Sequence, residues 1–459
     1  MEILPKDRDG LQALVEELLG KLKKLEAENA ELRSRLGMDS NNSHKPPSSD
    51  GYQKKKKKVT KPAFPRGKRK KKGGQEGHKG KTLERVAQAD FVEVHLPERC
   101  NCCGTSFEGV AYQVVQSRQV FDIPDPRLEI TEHQLGEITC CGIKQQGKYP
   151  EDVRATVQYG AGVQTLVTKL SVDHKMPLNQ ISQLFADLYG YDLNSTTIES
   201  TLKRGYKLAE SVEQQNIKQL LEQEVVNYDE TGIRVDGKLH WLHTASTATH
   251  THLFVHEKRG QKALESEASI FKDFKGIAVH DCWSPYFKFN GMRHSLCGAH
   301  LLRELNKLIE QDSLWATDMH EFLLDLYKNA YPSATAEQIY LHYHIILAQA
   351  DAEEPPPRRS KRGRPKQSEG RNLFNRLKKY EKGVLAFALE SNVPFTNNQA
   401  ERDLRGAKVK QKVSGCFRTQ AGAHIYARLQ ALILTFRKQE HNVFSSLRTL
   451  FALSSFTTA

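Results

Sequence analysis

The sequence lacks any apolar run of about 18 residues, the length that a membrane-spanning helix requires, and its charged, heptad-patterned start is unlike a signal peptide. Acidic residues are also scarce: 55 Asp and Glu stand against 68 Lys and Arg, which gives a formal net charge of +13. The first absence excludes an integral membrane protein and indicates a cytoplasmic one. The second predicts a polyanionic partner, and nucleic acid in the nucleoid is the obvious candidate.

Cysteine is sparse outside one region. Five of the eight cysteines lie between Cys100 and Cys141, and without an export signal this spacing favours metal binding over disulfides. The prediction is a small zinc ribbon that binds Zn²⁺ through Cys100, Cys103, Cys140 and Cys141. Adjacent cysteines seldom bind one ion, so His133 or Cys102 could substitute, or the site could be vestigial and metal-free.

The N-terminal residues repeat apolar side chains every seven positions. The two heptad positions are filled by Leu11, Leu18, Leu25 and Leu32, and by Val15, Leu22, Asn29 and Leu36. This pattern predicts a two-stranded coiled coil and therefore a homodimer, with Asn29 fixing the register. The alternative is one amphipathic helix that packs on its own chain.

The chain contains two strongly basic segments, one after the heptad repeat and one near residue 360. Between Lys54 and Lys72 there are twelve Lys or Arg residues and no acidic residue, so the segment is predicted to be disordered when free and to bind DNA phosphates. Arg362 and Arg364 lie in a second basic loop with the composition of a minor-groove hook. Either segment could instead be merely solvated. The DNA-binding candidates of the first segment are Lys54, Lys55, Lys56, Lys57, Lys58, Arg66, Lys68, Arg69 and Lys70.

A helical pattern covers residues 164–203. Two short helices, Asn179 to Leu188 and Ser195 to Leu202, flank Gly190 with the spacing of a helix-turn-helix. Two ordinary packed helices would give the same pattern, so both interpretations stay open.

Strand-like runs begin at residue 225. Three of them, Val225 to Tyr228, Leu239 to Ala245 and Thr251 to Val255, precede a helical stretch from Gln261 to Phe271 and a fourth strand, Gly276 to Val279. Short turns join the first three, the first of them containing Gly232 and Gly237. This order predicts a mixed α/β sheet of the ribonuclease H-like type.

That topology predicts that Asp229 and Asp281 meet at one edge of the sheet, although an Asp after a strand often only starts a turn. A third acidic residue, Glu401, begins a helical run. It forms either a capping pair with Asn398 or a third oxygen ligand for a metal. The basic residues that follow it could hold phosphates: Arg402, Arg405, Lys408 and Lys410.

Several strings in the right order resemble the transposase family of insertion sequence sixty-six. They are Tyr228-Asp229-Glu230-Thr231, His280-Asp281-Cys282-Trp283, the run from Cys297 to Leu305, Asn397-Asn398-Gln399-Ala400-Glu401-Arg402, the run from Asn42 to Ser49, the cysteine block and the run from Lys361 to Lys366. The resemblance implies a DDE transposase that cuts transposon ends and joins them to target DNA.

By that resemblance, Asp229, Asp281 and Glu401 are the catalytic triad that binds Mg²⁺ or Mn²⁺, and accessory proteins of the same element assist. The segment from Cys297 to His300 corresponds to the C-x-x-H of such enzymes, as a direct catalytic element or as a helix packed in the core. The rival functions are a DNA-binding regulator or architectural dimer, which leaves the three acids unexplained, and another ribonuclease H-like nuclease.

The chain is long enough for several domains. We expect a coiled coil at 1–38, a basic linker at 39–90, a zinc-ribbon-like module at 91–152, a helical DNA-binding region at 153–218, a ribonuclease H-like core at 219–310 and 391–440, a helical insertion with a basic arm at 311–390, and a helical tail at 441–459.

Overall fold

A computed structural model describes residues 12, 14–16, 18–22, 25, 82–357, 365 and 367–452. The chain forms two compact units, 53–130 and the combination of 1–52 with 131–459. The second unit contains a mixed sheet and many helices, which confirms the α/β class. No described helix has the length and apolarity needed to cross a membrane. The basic segment from Lys54 to Lys70, together with Arg362 and Arg364, lies outside the described residues.

The described residues near the N-terminus are helical. Val15, Leu18, Leu22 and Leu25 from the heptad pattern all belong to them, and each side chain is at least half exposed. The other heptad residues, Leu11, Asn29, Leu32 and Leu36, lie outside the described part of the chain. The coiled-coil dimer therefore stays a prediction.

In the unit 53–130, the described residues form no regular helix or strand. A tight turn surrounds the first cysteine group: the Gly104 amide donates to the Cys100 carbonyl, and the Cys100 amide donates to the Thr105 carbonyl, both at 2.9 Å. Gly104 has a φ of +73°, a conformation that glycine adopts without strain.

The second cysteine group lies in a hairpin of the other unit. Strands β1 (Glu137–Cys140) and β2 (Ile143–Gln146) pair antiparallel, and Cys141 and Gly142 form the turn with positive φ at both positions. Type I′ hairpin turns require this backbone conformation. The turn thereby places Cys140 and Cys141 with their sulfurs 3.7 Å apart.

A group of helices precedes the main sheet. Helix α1 (Ala161–Thr168) continues as a π-helical turn (Lys169–Asp173) and is followed by α2 (Leu178–Tyr189), α3 (Ser195–Leu208) and α4 (Glu210–Leu221). The two predicted short helices are confirmed as α2 and α3, and Gly190 ends α2 with a φ of +72°. Asn194 caps α3 by accepting a hydrogen bond from the Thr196 amide at 2.9 Å.

The main sheet has five strands: β3 (Val225–Val235), β4 (Lys238–Ser246), β5 (Thr251–His256), β6 (Ile277–His280) and β7 (Arg293–Leu296). Their order in the sheet is β5–β4–β3–β6–β7. The first three pair antiparallel, whereas β6 is parallel to both β3 and β7. Because β5 and β6 run in the same direction and β4 and β3 lie between them in the sheet, a crossover connects β5 to β6.

Three sequence predictions in this region were wrong in detail. Strand β3 does not end at Tyr228 but continues to Val235, and the turn that follows is Asp236–Gly237 without Gly232. The predicted helix up to Phe271 is only the short α5 (Gln261–Leu264). Strand β7 was not predicted. Strand pairing on both sides of β3 decides its length, which local turn propensity cannot show.

Helices α6 (Gly298–Ile309), α7 (Leu314–Tyr327), α8 (Ala336–Glu353), α9 (Glu369–Lys379) and α10 (Glu381–Leu389) follow the sheet. They enclose a hydrophobic core of their own, with Trp315 and Tyr343 fully buried. This helical group occupies the long interval between Asp281 and Glu401.

The chain then returns to the sheet through α11 (Asn398–Ser414), α12 (Gln420–Lys438) and α13 (Val443–Ala452). Leu404 of α11 and Leu432 of α12 pack with Ile233 and Leu253 of the sheet in one core. The packing of α11 brings residues near 400 back to strand β3.

Candidate active site

Asp229 and Asp281 lie on neighbouring parallel strands. Asn227 of β3 is paired with Val279 of β6, and each aspartate follows two residues after its member of this pair. Asp229 is inside β3, while Asp281 is the first residue after β6. The sheet register therefore places the two carboxylates at matching positions.

The loop that carries Asp281 is fixed by local hydrogen bonds. Cys282 has a φ of +69°, which is unusual for a non-glycine residue, and its amide donates to Nδ1 of the buried His280 at 3.2 Å. The Trp283 amide donates to Asp281 Oδ1 at 3.0 Å. Burial holds the pKa of His280 well below its usual value, so the ring is neutral and Nδ1 can accept. These contacts set the direction of the Asp281 side chain.

Glu230 supports the same loop from within the protein. The Tyr286 hydroxyl donates a hydrogen bond to Glu230 Oε2 at 2.5 Å, and Arg259 forms an ion pair with Oε1 at 2.7 Å. The Arg259 guanidinium lies over Trp283 and Trp241, 4.1 and 4.9 Å from the ring centroids. Burial and then the charge of Asp281 raise the pKa of Glu230 to about 6. Sequence reasoning missed this network, although Glu230 stands directly beside the predicted Asp229.

Asn397 joins the start of α11 to strand β3. Its side-chain amide donates to the Tyr228 carbonyl at 2.8 Å, and its Oδ1 accepts from Asn227 at 2.9 Å. Only 1% of Asn397 is exposed. Because Tyr228 directly precedes Asp229, these bonds link the first turn of α11, where Glu401 lies, to the strand that carries the first aspartate.

Of the two alternatives for Glu401, the capping pair with Asn398 is not present. The residue before the helix is Asn397, and its side chain makes no capping hydrogen bond because Asn227 and Tyr228 use it instead. Sequence reasoning assigned Asn397 no separate role, and the signal available was only its position inside the Asn-Asn-Gln-Ala-Glu string.

The starts of α6 and α11 approach each other closely. The Gly298 amide donates to the Phe395 carbonyl at 2.8 Å, and the Asn397 amide donates to Cys297 Sγ at 3.1 Å. A Cβ atom on Gly298 would lie 2.1 Å from the Phe395 ring. Glycine is therefore required at 298, since any side chain would push the two helix starts apart.

This approach brings Glu401 to Cys297 and His300. One ligand atom from each residue lies within 4.8 Å of the others, and His300 Nδ1 is 3.8 Å from Glu401 Oε1. In the described part of the chain, no such group combines Glu401 with Asp229 and Asp281. Burial raises the pKa of the Cys297 thiol to about 11, so the thiol keeps its proton.

Glu401 is nevertheless close enough to Asp229 to raise the pKa of its carboxyl group. The pKa of Asp229 is raised well above its usual value by burial and by the negative charges of Glu230, Asp281 and Glu401. Several acidic groups thus surround the partly buried Asp229. Such a concentration of carboxylate oxygens suits a divalent cation.

The sequence model of a transposase family, the Transposase IS66 family, matches residues 156–425, which include all three acidic residues. The match covers more than half of the chain. The chain belongs to the IS66 transposase family. A second model, that of a family of unknown function (DUF6444), matches residues 2–84. No curated protein matched the chain.

The basic residues of α11 differ in their surroundings. Arg402 and Arg405 are exposed. Lys408 donates to the Gly232 carbonyl at 2.7 Å and Lys410 to the Ser171 carbonyl at 3.4 Å. In this IS66 family member, the two arginines thus lie on the exposed side of α11, while the two lysines link α11 to its neighbours.

The cysteines of the predicted zinc ribbon fall in both compact units, Cys100 and Cys103 in one and Cys140 and Cys141 in the other. A hydrogen bond with the Thr105 hydroxyl is the main cause that lowers the pKa of Cys103 to about 7. A thiol with that pKa is readily deprotonated, as a zinc ligand must be. All five cysteines are free thiols, and zinc binding by this IS66 family member stays a prediction.

Proposed function

We propose that this IS66 family member is a metal-dependent transposase in which Asp229, Asp281 and Glu401 form the catalytic triad. The observation that carries the proposal is the matching position of Asp229 and Asp281 on adjacent parallel strands, with Glu401 near enough to raise the pKa of Asp229. The strand order, three antiparallel strands followed by a parallel one, supports a ribonuclease H-like core around them.

The donor set fits Mg²⁺ or Mn²⁺, since carboxylate oxygens are the ligands that these ions prefer. A bound divalent ion would activate the attacking oxygen and stabilise the leaving oxygen at a phosphodiester. Asp229 would lose its proton when a bound cation neutralises the negative charge of the neighbouring carboxylates. The chain also orients Asp281 through the loop from His280 to Trp283 and holds Glu401 at the start of α11 through Asn397.

In the proposed reaction, water first cleaves the phosphodiester at a transposon end and leaves a 3′-hydroxyl. That hydroxyl then attacks a phosphodiester of target DNA at the same site, and the target strand's own 3′ oxygen leaves. No covalent bond to the protein forms. Arg402 and Arg405 would hold phosphates during both steps, and their exposure on α11 close to Glu401 in sequence supports this role.

Other parts of the chain would serve this reaction. We propose that the basic segments around Lys54 to Lys70 and Arg362 to Arg364 bind double-stranded DNA, that the N-terminal heptads form a homodimer and that the cysteine block binds zinc. The net charge of +13 supports a nucleoid protein, and accessory proteins of the same element would complete the machinery.

The test uses the full chain and a plasmid that carries the gene with its flanking DNA. We expect Asp229→Asn, Asp281→Asn and Glu401→Gln to abolish Mn²⁺-dependent cleavage, because each removes an anionic ligand, while retention of the plasmid in a gel-shift assay is unchanged. Asp236→Asn, in the exposed turn at the far end of β3, is the matched control and should cut normally. Cleavage by the Asp229 or Asp281 variant would refute the triad.

A second readout separates transposition from simple nuclease activity. Cleaved ends are incubated with an unrelated plasmid, and joined products are counted. A transposase joins the end that it has made to the new DNA, whereas a resolvase-type or RNase-type enzyme does not. Cutting without joining would therefore retain the triad and reject the transposase reaction.

A further inference from the structure

The first turns of α6 and α11 assemble three different donors: the Cys297 thiol, the His300 imidazole and the Glu401 carboxylate, within 4.8 Å of one another. Glu401 Oε1 is buried, and no described residue donates a hydrogen bond to it. His300 Nδ1 is 3.8 Å from this oxygen. A buried carboxylate oxygen without a donor is costly, and a cation stabilises it.

We propose that Cys297, His300 and Glu401 form a second metal site, which takes a zinc ion and is distinct from the carboxylate site for Mg²⁺ or Mn²⁺. The donor chemistry decides the metal. Magnesium prefers oxygen ligands alone, whereas one thiolate, one imidazole and one carboxylate suit Zn²⁺. Three protein ligands leave the fourth zinc position open to water.

The distances are compatible with this assignment. Zinc bonds of about 2.0 to 2.3 Å set tetrahedral ligand atoms about 3.3 to 3.6 Å apart. The separation of 3.8 Å between His300 Nδ1 and Glu401 Oε1 is already close to that value. The other pairs of ligand atoms lie within 4.8 Å, so small rotations of the three side chains complete the tetrahedral arrangement.

The surroundings of the sulfur also suit a zinc ligand. The Asn397 amide donates to Cys297 Sγ at 3.1 Å, and such an N–H group stabilises a thiolate. Zinc binding releases the thiol proton to solvent, and the zinc–sulfur bond offsets the cost of removing it. The contact between Gly298 and Phe395 keeps both helix starts in place.

An inhibitory role for this zinc site rests on the proposed function, because Glu401 cannot bind both metal ions at once. When zinc holds Glu401 beside Cys297 and His300, the carboxylate is withdrawn from Asp229 and Asp281, and cleavage stops. The zinc site is thus an inhibitory one, and its occupancy regulates the transposase.

Binding is tested first, without reference to activity. Co²⁺ replaces zinc as a coloured probe in a full-length variant whose ribbon cysteines are serine (Cys100, Cys102, Cys103, Cys140 and Cys141), so that they give no signal. We expect one equivalent of Co²⁺ to produce tetrahedral absorption bands and a sulfur-to-cobalt charge-transfer band. Cys297→Ser should abolish the charge-transfer band, and His300→Gln should weaken binding by about tenfold or more. Cys416→Ser, at a half-buried cysteine outside this group, should change nothing.

Inhibition is tested next in the same background, with Mn²⁺-dependent plasmid cleavage. At a zinc concentration about ten times the dissociation constant, roughly nine-tenths of the chains hold zinc, so the rate should fall about tenfold. Plasmid cleavage by the Cys297→Ser variant should not be inhibited by zinc. A charge-transfer band that survives Cys297→Ser would refute the zinc site. Equal inhibition by zinc with and without Cys297→Ser would refute the inhibitory role of that site. Absence of any cleavage with Mn²⁺ would count against the proposed function instead, while the cobalt spectra still decide the zinc site.

Discussion

Replacing Asn397 with alanine tests how Glu401 is positioned. The change removes two buried hydrogen bonds and leaves the Tyr228 carbonyl and the Asn227 amide without these partners. Each buried polar group left unsatisfied costs about 1 to 3 kcal/mol, so the free energy of unfolding should fall by about 2 to 6 kcal/mol. A glutamate displaced by about 1 Å should lower the cleavage rate by about a hundredfold.

Asn398→Ala is the matched control. Asn398 is exposed and is the first residue of α11, directly after Asn397, so its replacement should change stability by less than about 0.5 kcal/mol. If Asn398 were instead the capping residue, its loss would cost about 1 kcal/mol. The two variants therefore distinguish the two descriptions of this helix start.

The assay is urea unfolding followed by tryptophan fluorescence, together with plasmid cleavage. All three tryptophans, Trp241, Trp283 and Trp315, lie in the same compact unit as Asn397, so the signal reports on that unit. A double variant with Asn227→Ala should lose less stability than the two single losses added. Equal losses for Asn397→Ala and Asn398→Ala would refute the reasoning.

Three further predictions concern the same region. Gly298→Ala should unfold at a lower temperature and cut poorly, because its Cβ has no space, whereas Gly162→Ala, with no atom within 4 Å of the added Cβ, should be neutral or slightly stabilising in thermal unfolding. Asp229→Asn should stabilise the metal-free protein increasingly as pH rises above the ordinary carboxyl pKa, measured by calorimetry: the raised pKa means that the native state holds a proton that the unfolded state has lost, so wild-type stability falls with pH. A constant difference would contradict this. Arg259→Lys should lose stacking on Trp283 and reduce stability by about 1 to 2 kcal/mol in urea unfolding, and an unchanged midpoint would contradict the role given to the ring contact.

Much of the sheet follows from local sequence. The β-branched and aromatic runs at 225–228, 239–245 and 251–255 give strands, and Gly190 separates two helices as expected. The position of β6 beside β3 was also predicted, because three strands, a helix and a fourth strand is the order typical of the ribonuclease H-like type. Strand β7 escaped prediction because its four residues, Arg293–Leu296, show no clear alternation and depend on β6 for their pairing.

Sequence alone determined that this chain belongs among the IS66 transposases and which acidic residues are candidates for its chemistry, since composition and ordered motifs are local properties. Only the tertiary structure decided what surrounds those acids. The parallel register sets Asp229 beside Asp281, the missing side chain of Gly298 lets two helix starts meet, and the buried Asn397 ties Glu401 to strand β3. These are contacts between residues 52 to 170 positions apart, and close packing, which no local pattern encodes, selects them.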